Sequence, residues 1–84
     1  MKGLAVETIT VPVGSKYSGC SLRALDARFK YNINIIAVKS GVQIKVSPGS
    51  DDKINDRDEL IVTGKNSDIT VFASILNEKI EPAT

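Results

Sequence analysis

Residues 33–46 read INIIAVKSGVQIKV, two runs rich in β-branched residues parted by Ser40-Gly41. Stiff, branched side chains suit a pleated and half-buried surface, and a Ser-Gly pair supplies the backbone freedom of a tight two-residue turn. The pattern predicts a β-hairpin. In its first arm, alternation puts Ile33, Ile35 and Ala37 on one face and Asn34, Ile36 and Val38 on the other. The second arm, Val42-Gln43-Ile44-Lys45-Val46, alternates apolar and polar residues strictly, as a partner strand with one wet face does. If helices cover the face of Ile33 and Ile35, then Ile36 and Val38 are left on the far side without cover from the same chain. Uncovered apolar residues of that kind mark an interface or a pocket.

Working outward, Ser21 is a good N-cap for a helix from Leu22 to about Phe29, with Leu22, Leu25 and Phe29 at helical spacing. Further upstream the run Ala5 to Val11 reads as a strand, closed by Pro12 and Gly14-Ser15. Downstream of the hairpin, Ser47 to Asp58 is a polar loop with Pro48-Gly49 and several acids, pinned to the core by its one large apolar residue, Ile54. Glu59 to Thr63 is a fourth strand, stopped by Gly64. A last helix, capped by Asn66 or Ser67, turns Ile69, Phe72, Ala73, Leu76 and Ile80 inward and ends at Pro82. The order β-α-β-β-β-α predicts a small α+β domain spanning residues 1–84, a largely antiparallel four-stranded sheet with two helices on one face.

Composition bounds the function. With 84 residues the chain hides only roughly 60 to 65% of the surface its unfolded form exposes, which favours oligomerisation. A net charge of +1, with basic residues interspersed among acidic ones, provides no field for gathering duplex phosphates, so no DNA or RNA partner is expected. The sequence has no histidine and a single cysteine, Cys20, which excludes His-based catalysis and zinc sites and fits a reducing, cytosolic compartment. Neither a secretory leader nor an apolar run of membrane-spanning length is present in it.

Little in the chain suggests catalysis. Asp51, Asp52, Asp56, Asp58 and Glu59 are the only dense oxygen cluster, but their spacing differs from that of an EF-hand and Lys53 and Arg57 dilute it. A solvated turn is the simpler reading. No phosphate-cradling Gly-rich loop is present, and no acid stands beside an apolar wall, so no enzyme function, cofactor or metal is expected. The suggestive stretch is Arg28 to Ala37, RFKYNINIIA. A guanidinium at a helix end can grip a phosphate with two donors, and an asparagine amide can read an adenine edge.

Taken in order, ETITVPVGSKYSGCSLRALDARFKYNINIIAVKSG (residues 7–41), then Pro48, then INDRDELIVTG (residues 54–64) resemble the C-terminal lobe of RCK regulatory proteins of potassium channels and transporters. This lobe is also called the TrkA C-terminal domain. The resemblance covers about Ala5 to Leu76 and rests on Pro12, Ser21, Leu22, Leu25, Arg28, Asn34 to Ala37, Pro48, Asp58, Leu60 to Val62 and Gly64. Arg57 departs from the pattern, since glycine often stands there in the family.

The resemblance implies a homodimerising, ligand-sensing lobe that works with a Rossmann-type RCK N-terminal lobe and a membrane potassium channel or transporter subunit. The location implied is cytoplasmic, at a membrane transport complex. The Gly-rich fingerprint of the N-terminal lobe is missing from this sequence, so the chain reads as a fragment or a stand-alone lobe. In the Ktr-like branch the lobe binds the small nucleotide cyclic di-AMP in a cleft between two subunits. By similarity Arg28 takes a phosphate, Asn34 an adenine, and Leu22, Ile35, Ile36, Ala37 and Pro48 form the apolar bed. Two alternatives stay open at this point: a pure dimerisation module of a gating ring, and a divalent-cation-sensing lobe built on the acidic loop.

Overall fold

The computed structural model describes residues 3–81. The order of elements is β1 (Ala5–Thr10), α1 (Leu22–Leu25), α2 (Ala27–Tyr31), β2 (Asn34–Ser40), β3 (Gln43–Val46), β4 (Glu59–Gly64) and α3 (Asn66–Leu76). All four strands pair antiparallel in the spatial order β1-β4-β2-β3, giving the expected α+β sheet. The hairpin forms as the residues suggest, turning at Gly41 with φ 61°. Leu60 and Val62 of β4 point to one face, where they are buried with Leu25, Ile33, Ile54, Phe72 and Leu76. Ile54 is fully buried, so the loop is plugged as expected.

The helical segment differs from expectation. A single helix from Leu22 to Phe29 is replaced by two short ones broken at Asp26, whose backbone is left-handed (φ 52°, ψ 47°). The core explains the break. Leu25 and Ala27 are both buried, yet residues two apart on one helix point in nearly opposite directions. Asp tolerates the left-handed region and makes the corner. As a result Phe29, expected inside, is 91% exposed. Ser21 does cap α1, its Oγ accepting from the Ala24 N–H at 3.1 Å.

The strand alternation also breaks once. In its pairing with β4, β2 shifts register between Ile35 (opposite Val62) and Ala37 (opposite Ile61), a β-bulge at Ile36. Beyond it the faces swap: Val38, expected on the far side, pairs with Leu60 and joins the core at 8% exposure, while Ala37 pairs with Ile61 and Val46 on the helix-free face. Ile36 is half-buried rather than exposed, and its carbonyl accepts the Ser47 N–H at 2.8 Å. The uncovered apolar surface therefore lies elsewhere. On the sheet it consists of Val6 on β1 with Val42, Ile44 and Val46 on and beside the edge strand β3.

Smaller differences are local. Val11 is buried just beyond β1, and Gly64 is the last residue of β4. Lys65, not Asn66 or Ser67, takes the N-cap of α3 and does so without a side-chain bond. The helix ends at Leu76 instead of running to Pro82, with Asn77 as its C-cap, and Ile80, expected inward, is exposed. Residues 78–80 then bind the Val13–Lys16 segment, with Lys16 Nζ 2.7 Å from Glu78 Oε1. Pro82 lies outside the described residues. Arg57 adopts φ 70°, so the turn before β4 keeps a glycine-like backbone despite its side chain.

Candidate functional site

The corner between α2 and β2 sets Arg28 and Asn34 on either side of a sharp turn. Its pivot is Asn32, left-handed at φ 59°, whose N–H closes α2 on the Ala27 carbonyl. Ala27 and Ile33 are pulled into the core on both sides of the turn, which leaves the side chains of Arg28 and Asn34 exposed. Both face an open cleft of about 470 Å³.

Of the residues singled out from the sequence, Leu22, Arg28, Asn34, Ile35 and Pro48 line this cleft together. Ile36 and Ala37 do not: Ile36 is the half-buried bulge residue, and Ala37 pairs with Ile61 on the far face. The remaining lining is Arg23, Asp26, Ala27, Ile33 and Ser50. Arg23, Asp26, Ala27 and Ile33 neighbour the residues named from the sequence, whereas Ser50 was invisible in it because the loop that brings Ser50 and Pro48 to the helices is held by contacts over long separations. Leu22 and Arg23 donate their backbone N–H groups to the carbonyls of Asp52 (2.8 Å) and Ser50 (2.9 Å), so the loop satisfies donors that α1 cannot satisfy itself. The Arg23 guanidinium adds contacts to Ser50 Oγ at 2.9 Å and Asp51 Oδ1 at 2.7 Å.

Among the described residues, neither the Arg28 guanidinium nor the Asn34 amide has a side-chain hydrogen-bond or ion-pair partner. With Arg23 paired to Asp51, Arg28 and Asp26 are the cleft's unpaired charges. An apolar floor of Leu22, Ala27, Ile33, Ile35 and Pro48 with a free guanidinium and a free amide at its edge suits a flat, apolar-faced anion.

The acidic loop is arranged differently. Lys45 Nζ (2.8 Å) and the Gly49 N–H (2.7 Å) both bind the Asp52 carboxylate, and in that order of strength they hold it below the ordinary carboxylate range. Ser18 Oγ and the Gly14 N–H do the same for Asp56. Asp58 is buried and accepts the Asn55 N–H at 2.9 Å. Among the described residues, no three His, Cys, Asp or Glu side chains converge as metal ligands. None of the described helices is long and apolar enough to cross a membrane.

Comparison with known proteins agrees with this architecture. The chain is 41% identical over 64 residues to the Ktr system potassium uptake protein C of Bacillus subtilis (strain 168), covering 76% of this chain and 29% of that protein. It is 35% identical over 63 residues to the K(+)/H(+) antiporter subunit KhtT of the same organism, covering 74% of this chain and 38% of that protein. The chain thus spans about a third of the length of these relatives.

Among solved structures, the RCK C domain of the potassium transport protein KtrA in complex with cyclic diadenosine monophosphate superposes with a TM-score of 0.78. That pair is 31% identical over 84% of this chain and 81% of the other. The RCK_C domain dimer of S. agalactiae BusR with c-di-AMP has a TM-score of 0.81, covering 87% of this chain and 96% of that one. At 23% identity this second likeness speaks for the fold alone. The TrkA-C domain family model matches residues 6–77, which takes in every strand except the first residue of β1, all three helices and both walls of the cleft, and on that match this chain belongs to the TrkA-C domain family.

Proposed function

We propose that the chain is the ligand-sensing lobe of a potassium transport system and binds cyclic di-AMP in the Arg28–Asn34 cleft, completed by a second copy of the chain. One observation carries this. Arg28 and Asn34, six residues apart in sequence, stand unpartnered at the edge of one apolar cleft with Leu22, Ile35 and Pro48. A cyclic dinucleotide has two phosphates and two adenines related by a two-fold axis. A two-fold dimer offers each half the same arginine, amide and apolar bed, so charge, shape and symmetry agree.

Arg28 takes a phosphate oxygen through paired N–H donors, Asn34 reads the adenine edge with one donor and one acceptor, and Leu22, Ile35 and Pro48 pack the base. Ile36 and Ala37 act from behind, in the strand that carries Ile35. The open cleft explains why a dimer is needed, since one protomer buries too little of such a ligand. The partners that follow are a Rossmann-type lobe and the membrane subunit whose ion flux it gates, which places the chain at the cytoplasmic side of that complex.

Calorimetry with cyclic di-AMP tests the reading, together with light scattering at tens of micromolar protein. Binding at one nucleotide per two chains, with a mass of twice 9.0 kDa, is the expected result. No heat at high micromolar ligand would reject it in favour of a pure assembly role, to which the exposed Val6, Ile44 and Val46 of the helix-free face are suited.

A further inference from the structure

Next to the cleft lies a second groove of about 250 Å³ that shares Arg28 and Asn34 with it and continues to Asn32, Gly64 and Lys65. Its polar lining is two cations and two amides beside Thr63, with no carboxylate. Asp68 faces the Asn32 amide at 3.4 Å, and Asp26 stands in the neighbouring cleft. Among the described residues the ammonium of Lys65 has no acceptor, whereas Lys16, Arg23 and Lys45 are each paired with a carboxylate.

The position of Lys65 is built into the fold. Asn34 pairs with Thr63 in the sheet, and Gly64 lets β4 press against Ile33, since a Cβ at Gly64 would stand 2.7 Å from Ile33 Cδ1. The next residue is therefore delivered beside the α2–β2 corner. It caps α3 through its backbone, with no side-chain capping bond, and its side chain is exposed.

We infer that this groove is a phosphate subsite continuous with the cleft, in which Lys65 grips the same nucleotide phosphate as Arg28 from the other side. The inference rests on the cleft being a cyclic dinucleotide site. It adds a residue outside the Arg28 to Ala37 segment and joins the end of β4 to the ligand. A compact, mobile ammonium suits this role: the planar guanidinium fixes the phosphate's orientation, and the lysine supplies a second charge without demanding geometry.

Titration of cyclic di-AMP into the wild type, Lys65→Gln, Lys30→Gln and Arg28→Ala separates the possibilities. Lys30 is an exposed cation on α2 that lines neither groove, so its variant removes the same charge from the wrong place. Lys65→Gln is expected to weaken binding about fivefold to tenfold, between an exposed ion pair and a full charge-assisted hydrogen bond. Lys30→Gln should stay within about twofold of the wild type, and both variants should melt as the wild type does. Wild-type affinity in Lys65→Gln alongside lost affinity in Arg28→Ala would overturn the subsite and leave the cleft standing. Equal weakening by Lys65→Gln and Lys30→Gln would show a diffuse charge effect and also overturn it. A wild type that does not bind would remove both the subsite and the reading beneath it.

Discussion

The loop at residues 47–58 and the α2–β2 corner use their polar side chains in opposite ways. In the loop, Asp51 pairs with Arg23, Asp52 with Lys45 and the Gly49 N–H, Asp56 with Ser18 and the Gly14 N–H, and Asp58 with the Asn55 N–H. At the corner, Arg28 and Asn34 have no such partners among the described residues. A polar group already satisfied within the chain has little left to offer a ligand, whereas one held in place but unpaired is available at low cost. On the proposed reading, the density of acids in the sequence points away from the site. What identifies the site is which groups the fold leaves over.

This difference predicts a double dissociation: removing the Ile54 plug or a satisfied acid of the loop alters stability, and changes at the corner alter binding. The largest effect is expected from Ile54→Ala, which removes a fully buried plug and should cost about 2–5 kcal/mol in urea denaturation. Asp58→Ala follows, at about 1–3 kcal/mol, because the Asn55 N–H loses its acceptor. At the corner, Asn34→Ala should weaken nucleotide binding about tenfold, reduce the preference for adenine over guanine and leave the melting temperature unchanged.

Arg57→Gly should stabilise the protein by about 0.5–1 kcal/mol, since an arginine at φ 70° bears a left-handed strain that glycine does not. A destabilised glycine variant would mean that the Arg57 side chain makes up for its backbone.

The smallest effects concern pH and calcium. Asp52 has a depressed carboxylate pKa in the folded state, so its contribution is complete above the ordinary carboxylate range and disappears as pH falls through and below it. Asp52→Asn should therefore melt lower than the wild type at neutral pH and approach it in acid. Millimolar calcium should leave the melting temperature of either protein unchanged, because ligand stabilises only a state that binds it. A rise of several degrees would break the contrast between loop and corner.

How far the sequence alone reached follows the same physics. Strands and the last helix were legible because their signals are local: β-branched alternation, a Ser-Gly turn, and Ile69, Phe72 and Leu76 at helical spacing. Asp26 and Ile36 were not. At each, regular periodicity yields to a tertiary demand, the burial of Leu25 together with Ala27 in one case and of Ile35 together with Val38 in the other. Both breaks flank the corner. Arg28 and Asn34 could be named from residue chemistry and family resemblance, but Ser50 joins the cleft only through a loop folded back over two dozen residues onto Arg23.

The most direct test of the account compares cyclic di-AMP binding and thermal melting for wild type and Arg28→Ala in the same buffer. Each arginine–phosphate contact is a charge-assisted bond worth roughly 1.5–3 kcal/mol, and a two-fold dimer loses two of them at once. The account predicts binding by the wild type, a loss of about a hundredfold or more in the variant, and an unchanged melting temperature and dimer mass. Equal affinity in both proteins, or a variant that loses binding only because it no longer folds, would contradict it.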